Sequence, residues 1–137
     1  MNDRYLFRAK RKNWRELPKE MWWIEGYYAY FKQNDNHCIY YETDGFTLVC
    51  DIDISTLCAC TGLKDKNGKM IWENDIVEAW SQGRCAIGKI KHRIDGTWIM
   101  YPAWQNGELW YLLPNDDGIT TVEVIGNIFD NPELINE

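Results

Sequence analysis

Polar and apolar residues alternate in short runs along most of this chain, with the two-residue period of strands that bury one face. Residues 5–10 form the first such run. Residues 11–20 are polar and end around Pro18, so they read as a loop or a single turn of helix. From 22 to 31 the aromatics are too dense and too β-prone for a helical stripe, which predicts a second strand. Gln33-Asn34-Asp35-Asn36 reads as a turn, because Asn and Asp tolerate left-handed backbone and bond their own main chain, and residues 37–41 return as a strand. Thr43-Asp44-Gly45 turns again into residues 46–52. These runs predict an antiparallel meander, closed where Asp53 or Ser55 caps one helical turn.

The second half opens on Thr61-Gly62-Leu63-Lys64-Asp65, where Asn67-Gly68 signals a tight turn with positive φ before the short return Met70-Ile71-Trp72. Strands follow over residues 76–80, 85–94 and 97–101, separated by the Gln82-Gly83 and Asp95-Gly96 turns. A late strand over 121–129 ends at Asn131-Pro132. Short strands at this spacing predict a mainly β protein: an antiparallel N-terminal meander over residues 1–60, packed on a small SH3-like β-barrel over residues 61–137. No repeat, low-complexity tract or flexible linker separates the two, so they read as subdomains.

Composition strengthens the β reading. Eight Trp, eight Tyr and four Phe in 137 residues suit strands and binding surfaces better than long helices. The net charge of −6 is unevenly placed: residues 1–20 sum to +4, residues 21–60 to −5, residues 61–95 to +2, and residues 96–137 to −7 without a Lys or Arg. Such blocks are expected to meet each other in the fold and keep the protein soluble, or to mark charged docking faces. Cys38, Cys50, Cys58, Cys60 and Cys85 make an odd number, and no secretory signal precedes them, which argues against a disulfide framework and for a reducing cytoplasm. The longest apolar-rich run, residues 21–31, is broken by Glu25 and Gly26, so no membrane span is expected.

Several dispersed segments resemble the YopX family of phage and prophage proteins. Tyr5-Leu6-Phe7-Arg8-Ala9 is similar to its opening strand, and Trp23-Ile24-Glu25-Gly26-Tyr27 to its Trp-Val-Glu-Gly-Tyr segment. The most specific stretch runs from Thr61-Gly62-Leu63-Lys64-Asp65-Lys66-Asn67-Gly68-Lys69 to Met70-Ile71-Trp72-Glu73-Asn74-Asp75-Ile76-Val77. Ile125-Gly126-Asn127-Ile128-Phe129-Asp130-Asn131-Pro132-Glu133-Leu134 is similar to the usual ending. One position departs, with Asn74 where the family commonly has Gly; Asn takes left-handed backbone most readily among the other residues, so the same turn is expected. The resemblance implies a phage or prophage origin and a β-rich fold, so the reducing cytoplasm expected from the cysteines is that of a bacterial host cell, and it transfers no catalytic residue, cofactor or substrate.

The residues themselves offer little chemistry. Lys64-Asp65-Lys66-Asn67-Gly68-Lys69 lacks the glycine spacing and Lys-Ser/Thr ending of a phosphate loop and reads as a hairpin turn. His37 and Cys38 are adjacent in a strand and so point to opposite faces, and Cys85 lies seven residues from His92. Cys58-x-Cys60 without a second paired motif departs from zinc spacing, so no metal or other cofactor is expected and the cysteines read as small buried hydrophobes. Asp51 and Asp53 would share a strand face, and Asp116 and Asp117 are adjacent, but strand-end and loop acids of this kind are ordinarily solvated. The protein is therefore expected not to be an enzyme.

The most informative surface is the strand around residues 87–94, where the period of two puts Lys89, Lys91 and Arg93 on one face and Ile90, His92 and Ile94 on the other. With Trp98 and Tyr101, and with Arg84 and Trp80 nearby, this row forms a candidate contact face. Gly62, Asn67, Gly68 and Asp75 are expected to set the turns of the signature, in a structural role. A protein-interaction module fits these features first, with a host or phage protein, or a second copy of the chain, as partner. An acidic protein of this kind could also mimic DNA through residues 96–137. Binding of single-stranded nucleic acid by the basic and aromatic strand face is the alternative.

Overall fold

The computed structural model describes residues 6–81, 84–93, 95–104 and 108–135, without the side chains of residues 81, 84, 102–104 and 108–110. The chain divides into two compact units, Met1–Cys60 and Thr61–Glu137. Both are built from antiparallel strands joined by tight turns and short 3-10 segments. Among the described residues no helix is long and apolar enough to cross a membrane.

In the first unit, β1 (Phe7–Lys10), β2 (Trp23–Phe31), β3 (Asn36–Thr43), β4 (Phe46–Asp51) and the start of β5 (Cys58–Lys64) lie in the order β4-β3-β2-β1-β5. The β3–β4 hairpin turns through Asp44 and Gly45 at φ 49 and 81, the doubly left-handed turn that matches strand twist. Strand β2 changes partner midway. Its residues 23–26 pair with β1, and its residues 27–31 pair with β3. Gly26 sits at the change, where a Cβ would collide with the Tyr40 carbonyl oxygen. Ala9, Ile24, Ile39 and Ile52 form the core here, with Tyr28, Tyr41, Cys50 and Leu57 packed against them.

The polar stretch after β1 forms two 3-10 turns, Trp14–Glu16 and Lys19–Met21, whose tryptophans receive the basic N-terminal block. Lys10 is only 2% exposed, its Nζ 3.9 Å from the Trp14 ring centroid and 4.4 Å from that of Trp22. Arg8 lies over Trp23 and Arg15 over Trp14. The excess positive charge of this region is thus turned onto its own indoles by cation–π attraction. Asp53 caps the next turn, Ile54–Thr56, accepting from Ser55 N and Ser55 Oγ. It also accepts from Trp14 Nε1, and these bonds, led by the Ser55 hydroxyl, hold its carboxyl below the ordinary aspartate range.

In the second unit, β7 (Asp75–Ser81), β8 (Arg84–His92), β9 (Trp98–Trp104) and β10 (Glu108–Tyr111) form a meander, and β11 (Glu123–Asn127) returns against β7. The order β10-β9-β8-β7-β11 leaves β10 and β11 as edges. The expected SH3-like barrel is therefore not closed among the described residues. The chain after β10 runs elsewhere: Lys64 N donates to Gly118 O, and Thr120 N to Lys64 O, so this connection pairs with the end of β5 and does not zip the two edges together. Ile71 of β6 (Met70–Trp72) joins Val77, Ala79, Ile90, Met100, Leu112 and Val122 in the core of this unit, and Leu63 packs against them.

The signature segment is held by two buried carboxylates. Asp65, 1% exposed, accepts from Asn67 N and Lys69 N through Oδ1 and from Val124 N through Oδ2. Asp75, equally buried, accepts from Trp72 N at 2.9 Å. Gly62 and Gly68 take positive φ of 77 and 85, whereas Asn67 does not, so the Asn67-Gly68 turn is a side-chain-bonded turn around Asp65 with one left-handed residue. Asn74 takes φ 69, the left-handed conformation expected of it in place of glycine. Opening strand residue Tyr5 and the Gln82-Gly83 turn lie outside the described residues.

Candidate interaction face

Residues directly opposite each other in an antiparallel pair share a face. On β8 and its neighbours, Val77 pairs with Gly88, Ala79 with Ala86 and Ile90 with Met100, and these point into the core. The pairs Glu78–Ile87, Trp80–Cys85, Lys89–Tyr101 and Lys91–Ile99 therefore share the other face, on which Ile76 and Ile99 are buried, and Tyr111, opposite Ile99, extends it. Trp80, Ile87, Tyr101 and Tyr111 are 57%, 38%, 48% and 40% exposed there.

Lys89, Lys91 and Arg93 are brought together as the alternation predicted, and Tyr101 joins them through its pairing with Lys89. Trp98 is not. It pairs with His92, packs against the core, and stacks on His92 at 4.3 Å between ring centroids. Its even-numbered register puts it on the opposite side from Tyr101. The side chain of Arg84 and residue Ile94 lie outside the described residues. Tyr111 and Ile87 were not singled out from the sequence. Residues 108–111 are a short run with no strict alternation, though the aromatic pair Trp110-Tyr111 was a usable signal.

Two of the cations on this face, Lys91 and Arg93, sit against its rings. Lys91 Nζ lies 4.7 Å from the Tyr101 centroid, and Arg93 Nη1 donates to Tyr111 Oη at 2.7 Å with its guanidinium 5.7 Å from that ring. Arg93 Nε is 3.7 Å from Asp95 Oδ2. Hydrogen bonds from Thr97, and then the positive charge of Arg93, hold the Asp95 carboxyl below the usual range. Trp80 Nε1 donates to Glu78 Oε1 at 3.0 Å. The face is thus a basic row framed by exposed aromatic and aliphatic groups, with the charges of Lys91 and Arg93 on ring faces.

Two of the thiols sit in surroundings that favour their neutral form. Burial and then the hydrogen bond to Asp51 push the Cys38 thiol up, and partial desolvation and then Glu78 raise that of Cys85. Both are held in the protonated, weakly nucleophilic form. His37 and Cys38 point apart: His37 Nδ1 is 2.6 Å from Tyr28 Oη, while Cys38 donates to Asp51. Cys58 and Cys60 are buried in β5. Asp51 ends β4 and Asp53 caps the following turn, so the two are not on one strand face. In the Lys64–Lys69 turn, the Asn67 and Lys69 amides that a phosphate would need are already bound by Asp65. In the acidic C-terminal block, Glu123 pairs with Lys66, and Asp130 accepts from Asn127 Nδ2.

The first unit carries a groove of about 480 Å³ where β3 parts from the first half of β2, lined by Trp23, Gly26, Tyr27, Tyr40, Tyr41 and Glu42 among others. A second, more polar cleft of about 410 Å³ lies between Lys12, Arg15, His37, Asp51 and Asp53.

Two units of open antiparallel sheet, one of them presenting a basic and aromatic outer face, define a small all-β protein whose distinctive chemistry lies on surfaces. The chain belongs to the YopX protein family, whose model matches residues 6–136. No curated protein matches it.

Proposed function

We propose that this YopX protein is a non-enzymatic protein-interaction module that docks an acidic partner on the outer face of its second sheet. The observation that carries this reading is the grouping of exposed Trp80, Ile87, Tyr101 and Tyr111 around Lys89, Lys91 and Arg93. Tryptophan, tyrosine and arginine dominate the energetics of protein interfaces, and an aliphatic group among them suits a partner side chain better than a phosphate. The partner we assign is a host or phage protein in the bacterial cytoplasm, an assignment that rests on the family resemblance to phage and prophage proteins.

Single-stranded nucleic acid is the second reading, favoured by the alignment of Lys89, Lys91 and Arg93 on one face. Base stacking needs free ring faces, however, and those of Tyr101 and Tyr111 already carry Lys91 and Arg93. Affinity capture from host lysate, with and without nuclease, tests both readings when wild type is compared with the Trp80→Ala/Tyr101→Ala double variant. A protein retained after nuclease treatment by wild type and lost by the variant supports the docking face. Nucleic acid recovered by wild type, with proteins lost on nuclease treatment, would replace it with the second reading.

A further inference from the structure

Strand β2 leaves β3 halfway along its length and opens a gap between two strands of one sheet. The β2–β3 ladder ends at the Tyr27–Tyr40 pair. Carried further, the same register would set Gly26 against Tyr41 and then Glu25 against Glu42, two like charges directly opposed. Instead residues 23–26 stay with β1, and the groove of about 480 Å³ occupies the gap.

Backbone parity decides what faces that groove. Arg11 N donates to Trp22 O, so Ile24 and Gly26 bond toward β1 and the main-chain groups of Glu25 turn to the groove. Ile52 N donates to His37 O, so Tyr41 and Thr43 bond toward β4 and the main-chain groups of Glu42 turn to the groove from the other wall. Side chains alternate as well. Ile24, Tyr28, Ile39 and Tyr41 belong to the core side. Trp23, Glu25 and Tyr27 on one wall therefore share the opposite face with Tyr40 and Glu42 on the other, and Thr47 lies beside Glu42.

Both carboxylates are exposed, and among the described residues neither is engaged in a hydrogen bond or an ion pair. The two cations nearby are engaged. Arg8, across from Glu25 on β1, lies over the Trp23 ring at 4.7 Å, and Arg11 donates to Met21 O and to Cys50 Sγ. The Tyr27–Tyr40 end of the groove thus offers two phenol rings with a carboxylate on each wall.

We infer that this gap takes an extended segment of another protein, whose arginine side chain enters beside Tyr27 and Tyr40 and bonds the Glu25 and Glu42 carboxylates. A guanidinium is planar and forked, so it stacks on a ring while donating in its plane to carboxylates on both sides; a lysine ammonium is a compact, strongly hydrated charge without that fork. Arg8 on Trp23 is an instance of the same contact on this face. The backbone of the segment is extended because the main-chain groups of Glu25 and Glu42 are those of an interrupted ladder, which an entering strand continues. The occupant is basic and the site lies in the first unit, so it is independent of the docking face for an acidic partner in the second.

Fluorescence anisotropy of the full chain with a short labelled peptide, Thr-Val-Arg-Val-Thr, and its lysine and citrulline counterparts tests the inference. Citrulline keeps the shape of arginine and removes its charge. The arginine peptide is expected to bind saturably, with a dissociation constant about tenfold or more below that of the citrulline peptide and severalfold below that of the lysine peptide. Glu25→Gln with Glu42→Gln, isosteric changes at exposed positions, should raise it by about tenfold or more. Asp116→Asn with Asp117→Asn removes the same charge from the other unit and should leave it unchanged. Absence of binding by wild type at about 1 mM peptide overturns the inference. So does equal binding of the citrulline peptide, or an equal loss in the two double variants, which would show a general attraction to an acidic chain. Equal binding of the lysine peptide overturns the choice of guanidinium, and self-association of the chain that the arginine peptide disperses would replace the other protein with a second copy. The peptide series is read on wild type, so it stands even if a variant does not fold.

Discussion

Asp65 shows how one side chain can organise a turn and a distant strand together. Its carboxylate is buried and its two oxygens accept three backbone amides, one of them from Val124, 59 residues along the chain. Removing it leaves buried donors without an acceptor, and each orphaned group costs about 1–3 kcal/mol. Asp65→Ala is therefore expected to destabilise the protein by about 3 kcal/mol in urea unfolding, and Asp65→Asn, which keeps one acceptor oxygen, by less. Equal losses for the two variants would show that the three bonds are not the cause. The turn at Asn67-Gly68 was legible because its residue types set backbone conformation locally. The burial of Asp65 was not, since Val124 belongs to a segment that no local pattern links to it.

At the scale of elements, backbones approach closely where strands cross or change partner. A Cβ at Gly26 would strike the carbonyl of Tyr40, and one at Gly88 would press on the Tyr101 carbonyl and Met100. A Cβ at Gly45 would meet nothing. Gly26→Ala is expected to lower stability by about 2–4 kcal/mol, as overpacking against backbone does. Gly45→Ala should cost only about 1–2 kcal/mol, from its left-handed φ of 81 alone. Thermal unfolding of the two variants side by side measures the difference, and equal shifts would refute the change of partner at Gly26 as the constraint. The longer strands were legible from alternation and turns: β2, β3, β4, β7, β8 and β9 all lie within a few residues of the expected runs. Strands β5 and β10 were not. Cys-Ala-Cys-Thr-Gly has little contrast between small apolar and polar positions, and Glu-Leu-Trp-Tyr is too short to show a period.

At the scale of the whole molecule, an acidic chain of net charge −6 presents a basic row on one sheet face. Long-range attraction is screened over about 8–10 Å at ordinary ionic strength, so the local row and not the net charge governs a partner at contact. Under the proposed function, capture of an acidic partner weakens as salt rises, and Lys89→Glu with Lys91→Glu abolishes it. Lys91 is exposed and Lys89 half-buried, so stability should fall by no more than about 1 kcal/mol. Retention of the partner by the charge-reversed variant, at unchanged stability, would move the docking site elsewhere.

The residues alone determined the β class, most of the strands and the turn chemistry, down to left-handed backbone at Asn74, because these depend on neighbours a few positions apart. Alternation also determined that Lys89, Lys91 and Arg93 share a face, and the pairing of Lys89 with Tyr101 added that ring to it. Tertiary structure decided the rest. It set Trp98 on the core side through its pairing with His92, left the second sheet open because the chain after β10 bonds to Lys64, and added Tyr111 to the basic face. Each of these depends on which strands become neighbours, and pairing between distant segments is written in no short stretch of sequence.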